Sequence, residues 1–177
     1  MNPGNASTKL IRSYPELASE LVGMISSARR EIYLASRYYE PLIGGKLLTK
    51  FMEGVSVNIL DGNSSGISFE QRILEAGRYL TENRNAMREF LESPKVKIRS
   101  CKLDYSFIVI DGRECGFEVL NPASPDEFNF AIELDDTEVA TNLIGIYQAL
   151  LRSERVSKRS GDLEESMSKN ELSVNVQ

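Results

Sequence analysis

Apolar and polar positions follow two different periods along this chain, which predicts alternating helices and strands. From residue 13 to residue 30 apolar side chains recur at helical spacing, behind a possible Ser13 cap and a proline in the first turn. EIYLAS (31–36) and the alternating VSVNIL (55–60) are predicted strands. Between them, Pro41 and the Gly44-Gly45 pair are expected to break the chain, so that KLLTKFMEG forms only a short helix, closed by Gly54.

The second half of the chain predicts one long helix, four strands and a final helix. The long helix covers about 69–92 and ends at Ser93-Pro94. Asp111-Gly112 marks a hairpin, and Asp135-Asp136-Thr137 places acidic groups at the start of the final helix. The four predicted strands are VKIRS, SFIVID, CGFEVL and FNFAIEL.

This order predicts a single α/β domain, a mixed β-sheet with helices on both faces. The domain is expected over residues 13–152. Residues 1–12 are expected to form a flexible N-terminal arm, and the polar residues 153–177 a mobile C-terminal tail.

The amino-acid composition excludes several kinds of catalysis and metal binding, whereas it says less about the fold. The 177 residues contain no histidine, which removes Ser-His-Asp and Cys-His catalysis, histidine-ligated metals and the usual neutral-pH proton carrier. The net charge of −5 argues against a broad nucleic-acid surface. With no signal peptide and no apolar run long enough for a membrane span, a cytoplasmic protein without membrane contact is expected, and Cys101 and Cys115 are expected to be reduced thiols.

One segment, LDYSFIVIDGRECGFEVLNP (103–122), combines polar residues with a predicted hairpin. Strand alternation puts Asp104 and Ser106 on one face near the start of the strand, and Asp111 falls at the turn. Asn121 ends the returning strand, where it can lie beside Asp104 and Ser106. These four residues are candidates for a polar pocket. The alternative is that Asp111 only shapes the turn and Asn121 only caps a strand.

The same segment resembles the phospholipase D signature, His-x-Lys, four residues, Asp, then six residues and a Gly-Ser-x-Asn ending. With Asp111 as the anchor, Asp104 stands at the position of the family's histidine and Ser106 at that of its lysine. The Gly-Ser-x-Asn ending falls on 118–121, where only Asn121 agrees. The units ARREIYLASRYYEP and GVSVNIL resemble the first helix-to-strand unit and second strand of that fold.

The resemblance implies that the family's reaction has been lost. In active members the histidine attacks phosphorus and the lysine neutralises phosphate charge, whereas here a carboxylate and a hydroxyl replace them. An Asp104 carboxylate near 4 Å from an anion would be repelled by about 4 kcal/mol at an effective dielectric of about 20. We therefore expect no enzyme activity by this mechanism, no cofactor and no metal.

The chain also resembles the effector portion of archaeal winged-helix transcriptional regulators, including the TrmB-like group. The segments that carry this resemblance are EIYLASRYYEP, GVSVNIL, SPKVKIR and SFIVIDG with GFEVLNPASPDEFNFAIELDD. The resemblance implies a regulatory domain that forms a homodimer, binds a small effector such as a sugar or metabolite, or does both. DNA contact would then come only through a winged-helix domain not present in this chain.

Any ligand is expected between SRYYEP and the strand ends, because open α/β sheets bind ligands there. Arg37 is a candidate for an anion and Tyr38 and Tyr39 for stacking, next to Asp104, Ser106 and Asn121; the alternative is that Arg37 pairs with Glu40 and one tyrosine packs in the core. Two other functions remain open. One is a divergent phosphodiesterase or nuclease that uses Asp104, or a metal held by Asp104 and Asp111, and the other is a purely structural dimerisation module.

Overall fold

The computed structural model describes residues 8–37, 41–62, 84–121, 123–124 and 127–152. The strands are β1 (Thr8–Ile11), β2 (Glu31–Ser36), β3 (Ser56–Asp61), β4 (Val96–Ser100), β5 (Phe107–Ile110), β6 (Glu114–Val119) and β7 (Phe130–Asp135). The helices are α1 (Tyr14–Ser27), α2 (Pro41–Met52), α3 (Arg84–Glu92) and α4 (137–152).

The strands form one seven-stranded mixed sheet, in the order β1-β7-β6-β5-β2-β3-β4. On one side of the sheet β2, β3 and β4 are parallel, and on the other β5, β6, β7 and β1 are antiparallel. The two halves meet where β2 pairs antiparallel with β5, with Ile32 opposite Ile110 and Ala35 opposite Phe107. The predicted fold class, a mixed sheet with helices on both faces, is confirmed.

Each face of the sheet carries its own apolar core. Helices α1, α2 and α3 cover one face, where Ile108 and Ile110 are buried. Helix α4 covers the other face, where Phe107 and Val109 are buried. The side chains of β5 therefore alternate between the faces as predicted, which fixes the face on which each residue of the hairpin lies.

Local signals set most element ends. The Ser13 side chain accepts a hydrogen bond from the Glu16 N–H (3.4 Å) and caps α1, and Gly54 ends the α2 segment with φ 94°. At the start of α4, Asp136 accepts from the N–H groups of Glu138 and Val139 at 2.8 and 3.1 Å. These backbone groups have no partner within the helix itself, so the caps stabilise its first turn.

The predicted break before α2 is wrong. The helix begins at Pro41 and runs through Gly44 and Gly45. Proline suits a first helical turn because its missing N–H would be unpaired there in any case. Each interior glycine costs about 1 kcal/mol relative to alanine, and the burial of Ile43, Leu47 and Leu48 outweighs that cost.

The N-terminal arm was also predicted too long. Residues 8–11, placed in the arm, form the edge strand β1, which pairs antiparallel with β7 from Thr8 opposite Leu134 to Ile11 opposite Ala131. The four-residue strand is too short to show a clear period, and only Ile11 is buried. Residues 1–7, the first part of the predicted long helix (69–83) and the tail 153–177 lie outside the described residues. Within the part that is described, no helix is both long and apolar enough to cross a bilayer.

Gly62, directly after β3, provides a test of the packing at the carboxyl end of that strand. A Cβ added there would lie 2.7 Å from the Cβ of Leu103, whereas one added at Gly23 in α1 would meet nothing within 4 Å. We expect Gly62→Ala to lower the free energy of unfolding by about 1–3 kcal/mol through overpacking. The matched control Gly23→Ala should raise it by about 0.5–1 kcal/mol through helix propensity. Urea denaturation of both variants measures the two effects, and equal shifts would contradict the packing argument.

Candidate functional site

The candidate site lies at the end of the sheet where the carboxyl end of β2 is found. Because β5 is antiparallel to β2, Ser106 at the start of β5 comes next to Ser36 and Arg37. The β5–β6 pairing then brings Glu118 opposite Ser106, with the Glu118 N–H donating to the Ser106 carbonyl at 2.9 Å. Three segments that are distant in sequence therefore meet at one point.

Arg37, Ser106 and Glu118 form a connected set of polar contacts, here called the Arg37 cluster. The Arg37 N–H donates to Ser106 Oγ at 3.1 Å, and the Ser106 N–H donates to Glu118 Oε2 at 3.2 Å. The Arg37 guanidinium closes the set by donating through Nη2 to Glu118 Oε1 at 3.3 Å. The cluster links the ends of β2, β5 and β6.

The ion pair in this cluster is largely removed from water. The side chain of Arg37 is 14% exposed and that of Glu118 only 2% exposed. A buried carboxylate is tolerated only when it is paired and hydrogen-bonded, and Glu118 receives both the guanidinium and a backbone N–H. Removing either side chain would deprive the other of an oppositely charged partner at a position with little access to water.

The structure brings some of the predicted site residues together and separates others. Arg37 and Ser106 lie together, and Arg37 pairs with Glu118. Tyr38, Tyr39 and Glu40 lie outside the described residues. Asp104 has an exposed side chain and contributes its backbone carbonyl, which accepts from Arg37 Nη1 at 3.4 Å. The carboxylate in the cluster therefore comes from the returning strand.

Glu118 is the residue that sequence analysis missed as a member of the site. It was considered only as a departure from the Gly-Ser-x-Asn ending. The available signal was a second glutamate, next to the last residue of the strand ECGFEV and flanked by Phe117 and Val119. Charged residues in such a position are rarely buried unless they are paired, so a partner on a neighbouring strand could have been sought.

Asn121 has a local role in the described structure. Its Oδ1 accepts the N–H of Ala123 at 3.0 Å, and its carbonyl accepts the N–H of Ser124 at 3.0 Å. This is the side-chain turn that asparagine commonly forms with the backbone two residues further on. The alternative interpretation, in which Asn121 shapes the chain after a strand, accounts for these contacts.

Asp111 lies at the opposite end of the sheet from the Arg37 cluster. The five residues from Ser106 to Asp111 span about 16 Å along an extended strand, and Asp111 lies beside the start of β2, where its N–H donates to the Glu31 carbonyl at 3.0 Å. The predicted pocket that included Asp111 is therefore wrong. For the same reason Asp104 and Asp111 are too far apart to hold one metal ion between them.

Asp111 instead fastens the hairpin turn to the start of β2. Its carboxylate accepts the N–H groups of Arg29 (2.9 Å), Arg30 (2.8 Å) and Glu31 (3.0 Å). Asp111 and Gly112 have φ values of 54° and 71°, as a mirror-image hairpin turn requires. Burial would raise the pKa of Asp111, but the three backbone donors and the nearby Arg30 charge outweigh it and hold that pKa below its ordinary value of 3.8.

A narrow apolar cavity lies between α1 and the sheet and reaches the Arg37 cluster. Its volume is about 40 Å³, and its polar lining includes Ser36, Ser106 and Glu118. Pockets that enclose drug-sized ligands generally measure about 300–1,000 Å³. The cavity has room for a few water molecules and none for a sugar ring.

Both cysteines are core residues. Cys101 and Cys115 are buried, and neither forms a disulfide. Burial, with smaller contributions from Asp136, Asp135 and Glu114, raises the pKa of the Cys115 thiol to about 11. Because the thiolate is the reactive form, Cys115 is poorly suited to redox chemistry near neutral pH.

The architecture is a phospholipase D-like fold, and similarity to solved structures shows this directly. The chain is similar to the archaeal chromatin protein TrmBL2, with 15% identity and a TM-score of 0.60. It is also similar to NucT from Helicobacter pylori (18%, 0.58) and to Nuc from Salmonella typhimurium, a phospholipase D family member (15%, 0.59). No protein-family model matches this sequence, and no curated protein matches it either.

Coverage differs among these structures. The alignments span 82–84% of this chain, and they include 98% of NucT and 95% of Nuc. The chain corresponds to only 52% of TrmBL2, about half of that protein's length. The similarity therefore concerns nearly all of the two bacterial proteins and one portion of the archaeal protein.

The Asp111 contacts predict a pH-dependent contribution to stability. Because the folded-state pKa is lowered, the contribution is fully present above the ordinary pKa of 3.8 and is lost as the pH falls through the lower folded-state pKa. Asp111→Asn, which tolerates the same φ, should lower the free energy of unfolding at pH 7 by about 2 kcal/mol. As the pH falls from about 4 to about 2, the stability of this variant should also fall less than that of the unsubstituted chain. Parallel acid dependence in the two proteins would contradict the assigned role, and denaturant unfolding at each pH measures it.

Proposed function

We propose that this chain is a non-catalytic assembly domain of a transcriptional regulator, built on a phospholipase D-like fold. The observation that carries the proposal is the Arg37–Glu118 pair. The resemblance places an attacking group and a phosphate-binding cation at this edge of the sheet. Among the described residues of the cluster, Arg37 carries the positive charge. It already forms an ion pair with a carboxylate of the same chain, that of Glu118.

The electrostatic consequence for a phosphodiester is unfavourable. A phosphate that approached Arg37 would come close to the buried Glu118 carboxylate as well. Two like charges about 4 Å apart repel each other by about 4 kcal/mol at an effective dielectric of about 20. Displacing Glu118 would leave a buried carboxylate unpaired, which costs a similar amount.

The size of the cavity disfavours an effector bound beside the Arg37 cluster; larger open grooves, of about 410 Å³ and about 520 Å³, lie beside Asp111 and beside α4. A sugar-sized effector would need a pocket several times larger than the cavity of about 40 Å³ beside the cluster. Self-association requires no enclosed pocket, only a surface that can be desolvated. We therefore place dimerisation ahead of ligand sensing as the working property of the domain.

The regulatory context is supported by the similarity to TrmBL2, whose structure shows a novel mode of DNA binding. This chain corresponds to about half of that protein, and its net charge of −5 disfavours DNA contact through its own surface. In the proposed arrangement, DNA contacts belong to a winged-helix domain outside these 177 residues. The present domain fixes the spacing of two such domains.

Two measurements test this function directly. We expect no hydrolysis of bis(4-nitrophenyl) phosphate above the uncatalysed rate, with or without Mg²⁺, Mn²⁺ or Zn²⁺. We expect light scattering after size exclusion to show a concentration-dependent dimer of the 177-residue chain. Turnover abolished by Asp104→Ala would overturn the non-catalytic assignment, and a chain that stays monomeric at several hundred micromolar would overturn the assembly assignment.

Substitution of Glu118 provides an independent prediction about the cluster. Glu118→Gln keeps the shape and leaves the Arg37 charge without its partner, so the free energy of unfolding should fall by about 3 kcal/mol. Inorganic phosphate should then raise the melting temperature of this variant more than that of the unsubstituted chain, because it can bind the released guanidinium.

The matched control is Glu89→Gln, an exposed glutamate on α3. It should change stability by less than about 0.5 kcal/mol and show no added response to phosphate. An equal phosphate response in all three proteins would show that Glu118 does not screen Arg37.

A further inference from the structure

Helix α4 carries an outer surface without charge, which is unusual in this chain. Charged residues make up 27% of the sequence, yet none occurs from 139 to 151. The inner side of the helix explains only part of this, because Ala140, Leu143 and Tyr147 pack in the core. Val139, Ile144, Leu150 and Leu151 are half-buried against the same core. The other positions are exposed, and packing gives no reason for them to be uncharged: Thr141, Asn142, Gly145, Ile146, Gln148 and Ala149.

The outward residues form a continuous strip, here called the α4 surface: Asn142, Gly145, Ile146 and Ala149. All four are exposed, and Ile146 is a large apolar side chain that keeps 37% of its area in water. A Cβ added at Gly145 would meet nothing within 4 Å. The glycine therefore opens outward, and a second helix can approach the backbone closely there.

An open, mostly apolar groove borders this surface. It runs between the end of β6 and the start of α4. The sheet side contributes Tyr105, Phe117, Glu118, Val119 and Leu120, and the helix contributes Val139, Asn142 and Leu143. Asn142 belongs to both the groove and the α4 surface. Helical spacing places Val139, Asn142 and Ile146 on the same flank, so the two form one patch.

Two charged residues delimit the α4 surface symmetrically. Glu138 and Arg152 are both exposed, and each lies seven residues from Gly145, on either side. Positions seven apart lie on one face of a helix. If two copies of α4 cross antiparallel at Gly145, Glu138 of each copy comes next to Arg152 of the other.

This charge arrangement identifies the occupant as a second copy of the chain. Near a two-fold axis each residue lies close to its own equivalent, so a charged residue there would face the same charge. An uncharged centre with opposite charges at its two ends satisfies that condition. A basic partner would instead favour acidic residues across the centre, and two copies with net charge −5 need a neutral contact to approach each other.

We propose that α4 pairs antiparallel with α4 of a second copy, crossing at Gly145 and burying the adjoining grooves. This rests on the proposed assembly function and names the surface that performs it. The helix is about 24 Å long, so a strip about 10 Å wide covers roughly 240 Å², well below the ~800 Å² per partner of a standard interface. The groove must contribute the rest, and we expect a dissociation constant in the micromolar range.

The first test replaces Ile146. Sedimentation velocity of the 177-residue chain over a wide concentration range should show Ile146→Glu to dimerise at least 30-fold more weakly than the unsubstituted chain. Met52→Glu is the matched control, because Met52 is 64% exposed on α2, on the opposite face of the sheet. It should leave the dissociation constant unchanged, and circular dichroism should show both variants folded.

The second test exchanges the terminal charges. Glu138→Arg and Arg152→Glu should each weaken the dimer by about 10-fold, because two ion pairs per dimer become repulsive. The double variant should restore dimerisation to within about 3-fold. Because each change also opposes the helix dipole, a general loss of helix stability would be larger in the double variant, so restoration is specific to antiparallel pairing.

The outcomes separate the two proposals. Two results would overturn the α4 interface and leave assembly intact. One is a dimer that Ile146→Glu does not weaken. The other is a double variant, Glu138→Arg with Arg152→Glu, whose dimer is weakened by the sum of the two single effects. An unsubstituted chain that remains monomeric at several hundred micromolar would overturn both the interface and the assembly function.

Discussion

The antiparallel contact between β2 and β5 is the constraint on which the rest of the structure depends. It joins the parallel half of the sheet to the antiparallel half, and it is the only place in the described sheet where the two halves are hydrogen-bonded. Polar side-chain interactions stabilise both ends of the β2–β5 pairing. Asp111 holds the start of β2, and the Arg37 cluster holds its other end.

These two sets of contacts account for the geometry of the hairpin and of the strand ends beside it. Asp111 binds backbone N–H groups, so it is required for the geometry of the hairpin whatever the sheet edge does chemically. At the other edge, Glu118 and Arg37 satisfy each other within the chain. A site that binds a phosphoryl group must keep its cation available, whereas a structural ion pair must not. In this chain the pair links the ends of three strands, β2, β5 and β6.

The sequence predicted those features that depend on local chemistry. The Ser13 cap, the Asp111-Gly112 turn and the alternation of β5 all follow from rules that act over a few residues, and each is present. The predictions failed where distant segments decide the outcome. Packing of α2 overrides two glycines, and β1 exists only because β7 offers it an edge.

Site prediction followed the same division. Arg37 and Ser106 were found because each sits at a strand end, which periodicity locates. Glu118 was missed because its importance depends on strand register: one residue of slippage would turn it to the other face of the sheet. The prediction that Asp111 shares a pocket with Ser106 failed for a different reason. The two residues are close in sequence and were therefore expected to be close in space. An extended strand separates residues that a motif places close together.

Strand β6 connects the two functional surfaces physically. The Glu118 carboxylate lies in the Arg37 cluster, and Glu118 also lines the groove beside α4 together with its neighbours Phe117 and Val119. Because successive side chains of a strand point to opposite faces, the position of Glu118 determines those of Phe117 and Val119. The buried ion pair thus fixes one wall of the proposed dimer groove. Glu118 therefore takes part in the Arg37 cluster and also helps to position the side chains that line the groove beside α4.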